Sequence, residues 1–536
     1  MKKAFVVFVV LLLTAASSFT AGAQDAASWS CLVCGVDETN EACHDCEIEH
    51  GSWICPKCGT VNTGDTCSEC GIAKSDLTIE KYDNGNYYIG ELKNGKRDGK
   101  GTYLWTNGNI YTGDWKEEKR TGNGQMTYAN GNVYQGEWLK SQRSGIGTYV
   151  YADGKVYEGE WKEDKINGQG KMTYANGNVY EGEWLENKRS GIGNYVYADG
   201  KVYEGEWKED KINGQGKMTY ADGAVYIGEW LDNKRSGTGT QTNTDGAVYV
   251  GEWAEGKRNG EGTFNYASGN VYKGEWKDGK RDGQGRFRKP DGSVYIGEWK
   301  ADKISGEGAY RYASGSVYIG EFKEGKRDGF GKLTNTDGSV YEGEWKEGKQ
   351  NGQGTYTYKN KNIYVGEFIN GKRDGQGTMT YKNKNVYEGE WKEGVQNGQG
   401  KMTYKNGDVY EGEWKDSKWN GQGKATYADG HVYDGGWKDG IFDGKGLYTY
   451  ANGDIYDGDW KDGIRDGFGK LTQANGNVYE GEWKNGRPDG AGVFTWANGD
   501  VFEGTWVEGK RAGAGKLTYA NGTVEEGVFE NGEWKN

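Results

Sequence analysis

Aromatic, glycine and polar positions recur along most of the chain with a period of 23 residues. Within each period, the run Tyr-x-Gly-Glu-Trp spaces its tyrosine, glycine and tryptophan two residues apart. In a β-strand these three residues share one face, and the glutamate points to the other. A second run, from Gly99 to Trp105, alternates in the same way. Each period therefore predicts two strands of about half a dozen residues.

Two kinds of turn are predicted to join these strands. A tight Asn-Gly or Asp-Gly pair, such as Asn107-Gly108, predicts a two-residue type I′ turn. The segment Asn94–Asp98 predicts a longer loop of about four to six residues. Each period is then one antiparallel hairpin, and the array is a meander of about 40 strands.

The repeat contains no insertions. Steps of 23 residues from Gly90 reach a glycine at every register up to Gly527, which gives 20 registers. In such an array each unit contacts mainly its neighbours, and stability adds along the chain. Lys361 and Lys384 occupy a turn position that holds glycine in other registers. We expect φ to be positive there, at a cost of about 1 kcal/mol for each lysine.

The regularly spaced glycines and aromatic residues suggest how the sheet is stabilised. A strand glycine leaves room for an aromatic ring of a neighbouring strand to lie across the backbone. Cross-strand aromatic pairs also stabilise a sheet that lacks a second layer. We therefore interpret the aromatic ladder as the core of the sheet. The predicted contact residues are those that vary between registers, together with the ends of the array.

Composition and charge narrow the possible functions. The chain has 95 glycines, 3 prolines and 34% hydrophobic residues. This composition is not typical of proteins with conventional globular cores. Its net charge of −13 opposes binding to nucleic acid or to an anionic membrane through counterion release. The repeated Glu-Trp positions, such as Glu137 and Glu160, look alike in every register. We therefore expect no enzyme activity.

Residues 1–23 have the three parts of a secretory signal peptide. Lys2 and Lys3 form a charged start, an apolar stretch runs to Leu13, and Ala21-Gly22-Ala23 is a small-residue cleavage site. The apolar stretch is too short for a membrane-spanning anchor. The sequence thus predicts export to the periplasm or the extracellular space.

All eight cysteines lie in two copies of one pattern, offset by 24 residues. Each copy has two Cys-x-x-Cys pairs and a tryptophan two residues before the first cysteine. Four thiolates spaced in this way can form a tetrahedral shell around Zn²⁺. The pattern predicts two structural zinc sites, with the ligands Cys31, Cys34, Cys43 and Cys46 in one site and Cys55, Cys58, Cys67 and Cys70 in the other.

Two other interpretations of the cysteines stay open. An exported protein meets an oxidising compartment, so the eight cysteines could form disulfides. A catalytic zinc site would keep an open position and use a histidine or carboxylate. His44 and His50 lie close enough in sequence to replace a thiolate. The spacing favours a full shell of four thiolates, with both histidines exposed to solvent.

Both parts of the chain resemble known families. The cysteine pattern resembles short zinc ribbons, and its W-x-C-x-x-C opening is similar to the zinc fingers of Ran-binding proteins. The repeat Y-x-G-E-W-x-x-G-K-x-x-G-x-G resembles the MORN (membrane occupation and recognition nexus) repeat, and residues 341–349 match that motif almost to the letter. This resemblance implies an elongated single-layer sheet of hairpins that is used for protein contacts and oligomer assembly. Phospholipid binding has also been proposed for the family.

The sequence predicts an all-β chain with four segments. These are a signal peptide (1–23), a double zinc-ribbon region (24–73), a linker (74–80) and an array of about 20 hairpins (81–536). The predicted function is that of an exported, non-catalytic scaffold of the cell envelope, which binds protein partners or copies of itself. A long exposed row of aromatic residues would favour such self-association. The alternative is an array that binds polysaccharide or lipid, with its aromatic rings as stacking platforms.

Overall fold

The computed structural model describes residues 77–535 together with Ala73 and four dipeptides nearer the N-terminus. All regular secondary structure in this part of the chain is β-strand. No helix in the described residues is long and apolar enough to cross a membrane. These observations confirm the predicted all-β class.

The four dipeptides form two small antiparallel pairs. Strand β1 (Trp29–Ser30) pairs with β2 (Asp37–Glu38), and β3 (Trp53–Ile54) pairs with β4 (Val61–Asn62). The two pairs occupy corresponding positions in the two copies of the cysteine pattern. The cysteines themselves lie outside the described residues.

The chain divides into two compact units, Met1–Ala267 and Ser268–Asn536. The sequence did not indicate this division, because the 23-residue period continues across it. In the first unit the repeat strands form an antiparallel meander in which consecutive strands pair. These strands are β5 (Thr78–Lys81), β6 (Tyr87–Lys93), β7 (Lys96–Leu104), β8 (Ile110–Lys116), β9 (Lys119–Thr127), β10 (Val133–Leu139), β11 (Gln142–Val150), β12 (Val156–Lys162), β13 (Lys165–Thr173), β14 (Val179–Leu185), β15 (Lys188–Val196), β16 (Val202–Lys208), β17 (Lys211–Thr219), β18 (Val225–Leu231), β19 (Lys234–Thr242), β20 (Val248–Ala254) and β21 (Lys257–Asn265).

The second unit has the same antiparallel order. Its strands are β22 (Val271–Lys277), β23 (Lys280–Arg288), β24 (Val294–Lys300), β25 (Lys303–Arg311), β26 (Val317–Lys323), β27 (Lys326–Thr334), β28 (Val340–Lys346), β29 (Lys349–Thr357), β30 (Ile363–Ile369), β31 (Lys372–Thr380), β32 (Val386–Lys392), β33 (Val395–Thr403), β34 (Val409–Lys415), β35 (Lys418–Thr426), β36 (Val432–Lys438), β37 (Ile441–Thr449), β38 (Ile455–Lys461), β39 (Ile464–Thr472), β40 (Val478–Lys484), β41 (Arg487–Thr495), β42 (Val501–Val507), β43 (Lys510–Thr518), β44 (Val524–Glu530) and β45 (Glu533–Lys535). The predicted meander of about 40 strands is confirmed.

The sheet begins slightly earlier than the sequence predicts. Strand β5 starts at Thr78, within the predicted linker 74–80, and pairs with β6 through Thr78 and Gly90. This strand precedes the first complete period, so it lacks the glycine and aromatic pattern on which the predicted boundary rested.

The two turn types are the reverse of the prediction. The two-residue turn with positive φ at both residues is Asn94-Gly95 (φ 55° and 74°), and Lys96 already begins β7. The Asn107-Gly108 pair instead belongs to a three-residue loop, in which Gly108 N–H donates to Trp105 O and only the glycine has positive φ. The loop is a type I turn followed by a left-handed residue, which also suits the Asn-Gly sequence. The two-residue turns line one side of the sheet, at the ends of its strands, and we call this side the turn edge. The three-residue loops line the opposite side, which we call the loop edge.

The two lysines at glycine positions have the predicted backbone conformation. Lys361 and Lys384 both have φ of 72°, a left-handed conformation that L-residues other than glycine rarely adopt. Each is the third residue of a three-residue loop on the loop edge. Their strained backbone is therefore a confirmed feature of two neighbouring repeats.

Candidate interaction surfaces of the sheet

The tyrosine that opens each repeat lies flat on paired glycines. In the hairpin β28–β29, Gly343 pairs with Gly354, and a Cβ atom on Gly354 would lie only 2.5–2.7 Å from atoms of the Tyr341 side chain. Tyr341 is fully buried, and its hydroxyl donates to Glu344 O at 2.8 Å. Burial raises the pKa of this phenol, so it stays a neutral donor. The predicted use of the glycines, as room for a ring, is confirmed.

The tryptophan of each repeat joins neighbouring hairpins. Trp345 is 5% exposed and packs edge-on against Tyr341 in its own strand and against Tyr318 in the preceding hairpin, with ring centroids 5.1 and 5.4 Å apart. Its Nε1–H donates to Gly331 O of the preceding hairpin at 3.1 Å. The ladder of rings is therefore the core, as predicted. We call the side of the sheet that carries it the aromatic face.

An arginine covers this tryptophan in many repeats. The Arg327 guanidinium lies 3.9 Å from the centre of the Trp345 ring and donates to Gly348 O, in the next two-residue turn, at 2.7 Å. Arg281 lies over Trp299, and Arg373 lies over Trp391, in the same way. Cation–π contacts of this kind are stabilising when the ring is shielded from water. Arginine recurs with the 23-residue period in many registers, but this contact with tryptophan was not predicted from the sequence.

The glutamate before each tryptophan has a structural role on the opposite side of the sheet, which we call the back face. The hairpin β28–β29 has a bulge in which residues 351–353 of β29 lie opposite Glu344 alone, and Glu344 Oε1 accepts a hydrogen bond from the N–H of Gln353. In the first unit, Glu137 and Glu160 accept in the same way from Ile146 N–H and Gln169 N–H, at 3.0 and 2.9 Å. The carboxylates thus satisfy backbone donors at the bulges.

The aromatic face is not an exposed row of rings. The tyrosine that opens each repeat and the tryptophan of the same run are buried along both units, whereas the tyrosines that precede the loops, such as Tyr128 and Tyr151, are half-buried. The sequence-based suggestion that a long exposed aromatic row would promote self-association is therefore wrong, since the rings are covered by one another and by arginines. For the same reason, the structure gives no support to these rings as stacking platforms for polysaccharide.

The back face carries the apolar residues that remain exposed. In the second unit, Ile296 pairs across strands with Ala309, and Ala309 pairs with Ile319. Phe330 lies diagonally from Ile319 on the next strand. The side chains of Ile296, Ile319 and Phe330 are all more than half exposed. In the next two repeats the position of Ile319 holds Glu342 and the exposed Val365, and further along it holds acidic residues, namely Glu388, Glu411, Asp434, Asp457 and Glu480. The apolar row is thus a local surface.

The predicted zinc ligands lie outside the described residues. These are Cys31, Cys34, Cys43, Cys46, Cys55, Cys58, Cys67 and Cys70. Among the residues that are described, no group of three or more histidine, cysteine, aspartate or glutamate side chains is placed to hold a metal ion. The zinc prediction therefore rests on the spacing of the cysteines.

Comparisons with solved structures give matches of low similarity. The TCP10 domain of Danio rerio CPAP is 15% identical over 42% of this chain and 100% of that chain, with a TM-score of 0.23. The Drosophila melanogaster SAS-4 TCP domain, solved with a proline-rich motif of Ana2, is 16% identical over 38% of this chain and 90% of that chain, with a TM-score of 0.19. An inactive virginiamycin B lyase of Staphylococcus aureus is 12% identical over 64% and 96%, with a TM-score of 0.10. TM-scores this low do not establish a shared fold.

The repeats themselves give a clear family match. No curated protein sequence matches the chain. The model of the MORN repeat matches 19 consecutive segments of 23 residues, from 88–110 to 502–524. The matched segments coincide with the hairpins from Tyr88 onward, and their shared positions are the tyrosine, glycine and tryptophan residues that build the aromatic face. Most of this chain is a tandem array of these repeats, and it belongs to the MORN-repeat family.

Proposed function

We propose that the chain is an exported, non-catalytic scaffold that contacts proteins, including copies of itself, through the back face of its sheet. The observation that carries this proposal is the exposed row formed by Ile296, Ile319 and Phe330. The repeated aromatic residues are used in packing, whereas these side chains are not. Exposed apolar patches on a stable sheet are typical of protein contact sites.

Self-association is the form of this function that can be tested without another component. We expect size-exclusion chromatography with light scattering to show that the mature chain forms dimers or larger species as its concentration rises. The double variant Ile296→Glu/Ile319→Glu places two charges on the apolar row and should shift this equilibrium toward monomer by about tenfold or more, because buried charges without partners are costly.

The matched control is Gln353→Glu/Gln376→Glu. Both glutamines are exposed in the same unit and point to the same face, and the change in net charge is identical. The control should associate like the unmodified chain. Purely monomeric protein over a wide concentration range would count against self-association, and equal loss in both variants would remove the apolar row from the explanation.

The cysteine region is proposed to hold two structural zinc ions. The support is the repeated spacing of the eight thiols, which suits tetrahedral Zn²⁺ sites without an open position. Protein prepared without added metal should contain about two zinc ions per chain, and a chelator should release them together with reactive thiols. Protein that contains no metal and no free thiols would show that disulfides form instead.

A further inference from the structure

Five lysines cluster on the loop edge of three consecutive repeats. Lys359 and Lys361 lie in the loop between β29 and β30, Lys382 and Lys384 in the next such loop, and Lys405 in the third. All five are exposed. The position of Lys359 holds alanine, threonine, proline or aspartate in the other repeats, and that of Lys361 holds glycine. We call these five residues the lysine loops.

Among the described residues the lysine loops lack close ion pairs, and Lys359 has a longer-range electrostatic interaction with Asp337. Among the described residues, no ion pair within 4.0 Å includes any of the five, whereas Lys326, Lys372 and Lys418 on the turn edge pair with acidic residues. The nearest carboxylates along the loop edge accept hydrogen bonds from residues of their own or the following loop. Asp337 accepts from the N–H and hydroxyl of Ser339, and Asp408 accepts from Asn406 Nδ2 and Ala428 N–H.

Hydrogen bonds hold the three loops in a row. Lys382 N–H donates to Asn362 Oδ1 at 2.9 Å, and Lys405 N–H donates to Asn385 Oδ1 at 3.1 Å. Successive loops are two strands apart, so the charges recur about every 10 Å along the edge. At Lys361 and Lys384 the backbone has φ of 72°. Lysine is thus present at two positions where glycine would relieve strain.

We propose that the lysine loops bind an acidic polysaccharide, namely a linear polyuronate with one carboxylate group on each sugar unit. A row of fixed ammonium groups would bind such a polymer with release of its counterions. The asparagines between the lysines add hydroxyl-binding groups, since Asn360 and Asn383 donate from Nδ2 to no group among the described residues. This site differs from the aromatic face and lies within the second unit.

The charge spacing distinguishes this ligand from nucleic acid. Phosphates recur about every 3.4 Å along a DNA strand, so most of them would face no lysine in a row with a period of about 10 Å. The rest of the chain is acidic, with a net charge of −13 overall, and would repel a polymer of high charge density. A polyuronate carries only one carboxylate group on each sugar unit, so more of its charges can face a lysine and the acidic remainder of the chain repels it less.

The test uses the full mature chain and four probes: alginate as a polyuronate, neutral dextran, a thymidine oligonucleotide, and vesicles that contain phosphatidylglycerol. We expect alginate to bind most tightly of the four, with an affinity that falls as salt is added. The variant Lys359→Gln/Lys361→Gln/Lys382→Gln/Lys384→Gln should lower the alginate affinity by about 10- to 100-fold. Absence of alginate binding at low salt, or tighter binding of the oligonucleotide or the vesicles, would overturn the proposal.

Two further variants separate this site from general charge effects and from misfolding. Lys300→Gln/Lys323→Gln/Lys346→Gln/Lys392→Gln removes four exposed charges at the turn edge and should leave alginate affinity unchanged; an equal loss would refute a local site. Lys361→Gly/Lys384→Gly relieves the strained backbone, so its thermal unfolding temperature should not fall, while alginate affinity should fall about 3- to 10-fold. A lower unfolding temperature or unchanged affinity would assign these lysines a structural role.

The proposed polysaccharide site rests on the proposed function in one respect only, because an exported chain would meet such a polymer outside the cell. Binding of alginate to the purified chain requires neither export nor self-association. A failure of the alginate test would therefore not contradict the proposed scaffold function. Monomeric behaviour in light scattering would likewise not contradict the binding of polysaccharide by the lysine loops.

Discussion

Replacement of Trp345 by alanine is expected to open the hairpin β28–β29 and its neighbour. The ring is buried, packs against Tyr341 and Tyr318, lies beneath Arg327, and donates to Gly331 O. Truncation of a buried large aromatic side chain costs about 3–5 kcal/mol. Because stability in a repeat array is partly local, hydrogen exchange at the amides of residues 340–357 should accelerate by about 100-fold or more.

The chain supplies its own control for this change. Phe322 and Phe368 occupy the position of Trp345 in the preceding and following repeats, and both are buried. The variant Trp345→Phe should therefore keep the hairpin closed and cost about 1–2 kcal/mol, mainly through the lost hydrogen bond and smaller ring. Equal exchange rates in the alanine and phenylalanine variants would contradict the assignment of the ring as core.

Replacement of Gly354 by alanine is expected to displace the Tyr341 ring from the backbone. The added Cβ would come within 2.7 Å of three atoms of the tyrosine side chain, which is far closer than non-bonded atoms approach. The ring cannot move deeper, since the backbone of the sheet lies beneath it. Forced repacking of this kind costs about 1–3 kcal/mol, and we expect hydrogen exchange in β28 and β29 to rise while exchange in β36 and β37 is unchanged.

A second glycine in the same hairpin isolates the steric effect. Gly348, in the two-residue turn, has φ of 86°, and a Cβ atom added there would meet no other atom within 4 Å. The variant Gly348→Ala thus adds backbone strain alone and should cost about 1 kcal/mol. Gly354→Ala should be the more damaging change, and the opposite order would mean that backbone conformation, rather than the ring, explains the repeated glycines.

The strands and the core could be predicted because the same pattern of aromatic residues and glycines recurs in every repeat. The alternation of Tyr341, Gly343 and Trp345 identifies one face of a strand in a single repeat, and the 23-residue period multiplies that evidence. The burial of these residues follows from the same pattern. The arginine column was harder to recognise, because its role depends on contact with the tryptophan of the following hairpin.

The turn types were predicted in reverse order for a physical reason. An Asn-Gly pair suits a two-residue type I′ turn, but it equally suits the last two residues of a three-residue loop in which glycine alone is left-handed. The distinction depends on where the strands end. Asn94-Gly95 and Asn107-Gly108 have the same sequence, and only the pairing of the strands around them shows which turn each one forms.

The bulges explain why the back face was only partly predicted. The alternation correctly placed the glutamates opposite the aromatic rings, but a carboxylate on a strand face normally has no fixed partner. Residues 351–353 of the neighbouring strand lie opposite Glu344 alone, and the Gln353 N–H that is exposed there donates to the carboxylate. The regular alternation from which the strands were predicted does not encode such an insertion in register.

The bonds between hairpins also determine when each part of the chain can fold. Trp345 reaches Gly331, 14 residues earlier, and Arg327 reaches Gly348, 21 residues later. A repeat therefore acquires its stabilising partners as soon as the next hairpin is available. Short-range contacts of this kind allow rapid folding from many starting points. A ribosome that delivers the chain from its N-terminus would release completed hairpins in sequence, and none of them would wait for the last strand.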